Sequence, residues 1–64
     1  MNLIEGLQKE LERNRELLRA YKEIPAGAFG AVMIEQGIKE TEKAIAEGDI
    51  VKMLACYKKL QEIK

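Results

Sequence analysis

Apolar residues in the first third of the chain recur at Ile4, Leu7, Leu11, Leu18 and Tyr21, with Asn14 filling the one gap, so that the spacing alternates three and four. Only a helix brings such positions onto one side, and a seam of this kind needs a neighbour to cover it. Leu3, Leu17 and Ile24 add a second apolar row, wider than a two-stranded zipper requires, so this helix is expected to touch more than one partner element. Asn2 followed by Glu5 forms a capping-box pattern at its start. Pro25 disfavours helical geometry in Ile24 and so ends it. The first helix is therefore predicted over about 3–23. Asn14, polar in the middle of the seam, either fixes register or pairs with a backbone group.

Helical period resumes at Val32, with Ile34, Ile38, Thr41 and Ile45 on one face and Glu35, Lys39, Glu42 and Lys43 elsewhere. Gly48 suits the residue just past a helix end, and Asp49 suits the N-cap of the next helix. The second helix is predicted over about 28–47 and the third over about 50–63, the latter with Ile50, Met53, Leu54, Tyr57, Leu60 and Ile63 inward. Nothing alternates with period two for long enough to make a strand. The fold class is thus all-α: a single domain over 1–64, a small helical bundle of two long helices and one short C-terminal helix.

Size adds a further expectation. A chain of 64 residues with three aromatics, one cysteine and no histidine has neither a disulfide nor a metal to support a small core, so homo-oligomerisation is expected to complete the bundle. The same composition excludes a histidine-dependent catalytic set and a zinc site, and no pair of glutamates is marked out as an acid/base couple, so the chain does not read as an enzyme and implies no cofactor. Cys56, between Ala55 and Tyr57, reads as a buried inert thiol. Net charge is zero with the charges interspersed, which argues against DNA or RNA as a partner. The longest uncharged run, Ile24 to Ile34, spans 11 residues and is too short to cross a membrane. The N-terminus lacks a basic region ahead of an apolar core, and with one unpaired cysteine the expected location is the cytoplasm.

Two constellations stand out. Gly30, Gly37 and Ala44 lie seven apart on the second helix, with Thr41 and Gly48 continuing the same narrow face, which points to a close approach by another helix from this chain or from a second copy. The other is the junction Pro25-Ala26-Gly27-Ala28-Phe29-Gly30. A helix starting in a glycine-rich turn offers unpaired N–H groups and partial positive charge to an anion. Arg15, Arg19 and Lys22 follow an i, i+4, i+7 row ending beside this turn, and Tyr21 and Phe29 flank it where a planar base could stack. Candidate ligand-binding residues are therefore Arg15, Arg19, Tyr21, Lys22, Ala26, Gly27, Ala28, Phe29 and Gly30. The plainer reading of the same residues is helix-end charge complementarity, surface ion pairs and a tight turn.

The run Ile24-Pro25-Ala26-Gly27-Ala28-Phe29-Gly30, with Met33-Ile34, Ala44 to Asp49, Met53-Leu54, Tyr57 and Leu60, resembles small uncharacterised proteins of phage and prophage genomes. In size and helicity the chain is also similar in outline to phage anti-defence sponges, which sequester nucleotide signals between subunits. That resemblance implies an oligomer in the cytoplasm of the host bacterium, holding a cyclic oligonucleotide or ADP-ribose derivative without turnover. The alternative is a protein-interaction module, an inhibitor or adaptor, docking through an apolar Pro25–Ile34 surface.

Overall fold

A computed structural model describes residues 2–63 and shows three α-helices: α1 (Leu3–Lys22), α2 (Ala28–Glu47) and α3 (Ile50–Glu62). A single 3-10 turn, Pro25–Gly27, precedes α2. Helices α1 and α3 end one residue earlier than the spacing suggests, and α2 has the expected bounds. The signals that set these ends are visible as bonds. The Asn2 side chain accepts from the Glu5 N–H at 2.9 Å, and Asp49 accepts from the Lys52 N–H at 3.1 Å. Ile24 is extended, at φ −103 and ψ 117, as the residue before a proline must be.

Gly48 takes φ +67, the left-handed conformation that costs glycine least, and the following Asp49 N–H reaches back to the Ala44 carbonyl at 3.2 Å. This closes α2 and reverses the chain into α3 within two residues. The three helices pack into a rod of 36 × 20 × 17 Å.

Two clusters form the core. Leu7, Ala44, Met53 and Cys56 pack together toward the α2–α3 turn, and Leu11, Ile34, Ile38 and Leu60 form the second cluster, against which Leu17, Leu18, Tyr21 and Ile63 lie half-buried. Asn14 is fully buried and pairs with backbone: its amide nitrogen donates to the Glu10 carbonyl at 2.8 Å and to the Leu60 carbonyl at 3.4 Å. Arg13 donates to that same Leu60 carbonyl at 2.7 Å, so adjacent residues of α1 bind one acceptor in the last turn of α3.

The inward face of α3 is narrower than its apolar spacing suggests. Met53, Cys56 and Leu60 are buried, whereas Ile50 and Leu54 are more than half exposed, as is Val51. At 100° per residue Leu54 points about 130° away from the middle of the buried line, and Ile50 roughly 90° away. Ile4, at the start of the α1 seam, is also exposed.

Candidate functional site

Most of the small face of α2 is filled from within the chain. Gly37 faces Leu60 of α3 and Ile63 just past its end at ordinary contact distance, and Ala44 is buried in the first core cluster. Gly30 lies under the ring of Tyr21: a Cβ there would come within 2.7 Å of two ring carbons. The close approach anticipated from the glycine spacing is made by α1 and α3 of the same chain. A matching contact escaped the sequence reading, because a lone glycine in α1 shows no pattern: Gly6 is buried beneath the ring of Tyr57, 3.1 Å from where its Cβ would stand.

At the α1–α2 junction the candidate ligand residues are close in sequence but have other partners. The Gly27 N–H donates to the Ile24 carbonyl at 2.8 Å, and a Cβ on Gly27 would meet the Tyr21 carbonyl oxygen at 2.6 Å. Steric need at the turn therefore accounts for Gly27, and the Tyr21 ring accounts for Gly30. Tyr21 itself is half-buried against the second core cluster.

The basic row is largely engaged with α2. Arg15 pairs with Glu42 at 3.0 Å and Lys22 with Glu35 at 3.7 Å, while Arg19 is exposed and forms no ion pair among the described residues. Lys39, bonded to Glu35 at 3.2 Å, and after it Lys22, hold the Glu35 carboxyl below its ordinary pKa. The charges of Arg15 and Lys22 are thus met by α2 carboxylates and, among the described residues, that of Arg19 is not.

The structure leaves an apolar surface at this end. Ala26 and Ala28 are exposed, and Phe29 is 81% exposed. Phe29, Val32 and Met33, at i, i+3 and i+4, share the outward side of α2, with Val32 and Met33 each more than half exposed; Ile24, before the turn, is too. From Ala28 to Ile34 the helix is uncharged all round, which is the pattern of a helix covered on both sides. The uncharged run was legible in the sequence, but which part of a Pro25–Ile34 surface would be exposed was not: Ala31 and Ile34, within it, are buried.

Two hollows lie elsewhere. One of about 330 Å³ runs between α2 and α3, with Ala44 and Cys56 in its lining and Glu40, Lys43, Glu47 and Lys52 around them. The other, about 240 Å³, lies on α2 beside the exposed face and is lined by Val32, Glu35, Gln36 and Lys39. None of the nine candidate ligand residues lines either one. Among the described residues no helix is long and apolar enough to cross a membrane, and no three acidic or cysteine side chains are grouped to hold a metal ion.

The fold defines a class: a small all-α bundle of three helices with apolar residues uncovered at the α1–α2 end and, at Ile50, Val51 and Leu54, on α3. Comparison with family models, with curated proteins and with solved structures gives no match to the chain.

Proposed function

We propose that this chain is a non-catalytic protein-interaction module that docks through the apolar face formed by Ile24, Phe29, Val32 and Met33. The observation that carries the reading is Phe29, a large aromatic left 81% exposed at a position where the fold of the single chain gives it nothing to do. Aromatic anchors of this kind dominate the energetics of protein interfaces. Exposed apolar side chains grouped on one helix side mark contact surfaces, whereas scattered ones do not. The test is affinity capture with wild-type and Phe29→Asp baits, both checked for helical circular dichroism. Loss of partners from a folded Phe29→Asp bait supports the reading, and an unchanged set of partners removes it.

A second reading, favoured by exposed and unpaired Arg19, is sequestration of a phosphate-bearing nucleotide signal between subunits, as the likeness in outline to phage anti-defence sponges implies. Arginine suits phosphate because its planar fork donates two bonds at once. The junction residues line neither of the two hollows described above, so in this reading a second copy completes the pocket. Arg19→Ala should then weaken binding of a cyclic dinucleotide in calorimetry while leaving assembly intact. Equal affinity in the variant removes Arg19 from that scheme.

A further inference from the structure

We infer that the partner of the Phe29 face is a second copy of the same chain, the two α2 helices crossing antiparallel about a two-fold axis level with the Val32–Met33 peptide. This rests on the docking reading above and names its occupant. Phe29 and the hollow beside Gln36 are a protruding ring and a recess on one helix, seven residues apart. Seven residues fall within about 20° of two full turns, so the ring and the Gln36 wall of the recess lie on nearly the same side of α2, roughly 10 Å apart along its axis, while the rest of the recess runs round toward Glu35. A two-fold axis midway between them sets position 29 of one copy level with 36 of the other, and 32 level with 33. Each Phe29 ring then meets the Gln36 wall of the other copy's recess, the self-complementary pattern of an isologous dimer.

The recess suits an aromatic ring. It is a shallow hollow of about 240 Å³, open to solvent on one side. Val32 and the aliphatic stems of Gln36 and Lys39 offer apolar contact, since long polar side chains cover rings with their methylenes while the charged tips stay wet. Its two charged groups, Glu35 and Lys39, are already paired at 3.2 Å, so seating a ring leaves neither charge without a partner.

Charge and area also favour a second copy. The chain is net neutral, so two copies approach without mutual repulsion, and the face carries no charge surplus that would select a strongly acidic or basic partner. Allowing roughly 200 Å² for a whole phenylalanine and about 100 Å² for each aliphatic side chain, the exposed parts of Ile24, Phe29, Val32 and Met33 amount to about 300 Å² per copy. With the polar rim usual at interfaces, a pair buries roughly 1,000 Å², the lower bound for a specific contact, so the dimer is weak and reversible.

Sedimentation equilibrium of the intact chain up to about 1 mM tests this. The expected result is a monomer–dimer equilibrium in the wild type and a monomer throughout for Phe29→Asp, with equal helical signal. In a Cys56→Ser background, Val32→Cys should form a disulfide-linked dimer on mild oxidation, because position 32 lies half a residue from the axis and so only about 1.5 Å along the helix from its own copy, whereas Leu54→Cys should not. Wild-type monomer at every concentration overturns the pairing, and so does a dimer that persists in Phe29→Asp or one in which Leu54→Cys cross-links instead of Val32→Cys. If the wild type is monomeric while a Phe29-dependent partner is still captured, the pairing fails and the docking reading stands.

Discussion

At its C-terminal end α2 turns into α3 through Gly48 at φ +67 and the Asp49 cap, and its outward side carries Glu40, Lys43 and Glu47; at its N-terminal end it starts from Gly27 with no side-chain cap and turns Phe29, Val32 and Met33 outward. The first end meets its backbone requirements within the chain, with a left-handed glycine where one is needed and a carboxylate on the Lys52 amide of α3, and α2 turns charge outward there, although Ile50, Val51 and Leu54 of α3 stand exposed beside it. The second end departs from those requirements without any gain visible in the monomer. Where a sequence departs from local consistency in this way, the departure marks what the chain does beyond folding.

Neighbouring residues at the apolar end give the largest test of that contrast. Ile34 is 2% exposed and Met33 more than half exposed, one position apart on the same helix. Ile34→Ala should lose about 2–5 kcal/mol in chemical denaturation of dilute monomer, enough to unfold much of a chain this small. Met33→Ala should stay within about 0.5 kcal/mol. Equal losses would mean that the outward side is covered within the monomer and would remove the docking face.

The glycines separate next. Alanine at position 30 would drive its Cβ into the Tyr21 ring, and after the helix-propensity gain is offset, Gly30→Ala should cost about 1–2 kcal/mol. Gly37→Ala meets only ordinary contacts with Leu60 and Ile63 and should gain up to about 1 kcal/mol. A reversed order would show that the close approach on α2 is at Gly37 after all. At the ordered end, Asp49→Ala removes the bond to the Lys52 N–H and should cost about 1 kcal/mol. No loss there would undo the claim that this end depends on its cap.

The helix bounds were readable because punctuation and period agree: Asn2, Pro25, Gly48 and Asp49 each act on backbone that they touch directly. The buried side of α3 was not. Ile50, Val51, Met53, Leu54, Cys56, Tyr57 and Leu60 occupy an arc so wide that periodicity cannot say which part of it faces α1 and α2. The glycines at 27 and 30 showed that something comes close to the backbone, and in both cases it is Tyr21, through its carbonyl and through its ring. A sequence pattern reports that room is needed and is silent about who occupies it. The same limit applies to the basic row, since the i, i+4, i+7 spacing of Arg15, Arg19 and Lys22 says nothing of Glu42 and Glu35 across the helix interface.

Glu35 stands where the apolar turns of α2 give way to the charged ones, and it gives the smallest and most specific effect. Its carboxylate is held below its ordinary pKa by the hydrogen bond and charge of Lys39 and then by the charge of Lys22 on α1. A carboxyl lowered in the folded state adds stability that is complete above its unfolded value, near 4.5, and is lost as pH falls through the lowered one. The side chain is 41% exposed, so solvent screens the pair and the contribution is small. Glu35→Gln should therefore be slightly less stable than wild type at neutral pH, and the two stability curves should converge in acid, where the wild-type carboxyl is protonated. Added salt should narrow the neutral-pH gap. Denaturation of dilute monomer from about pH 7 to about pH 2 measures it. A gap that stays constant over that range would mean that Glu35 acts through packing in the recess beside Val32 and Gln36. Convergence would identify the lysine pairs as its means of tying α1 to α2 at the border of the exposed face.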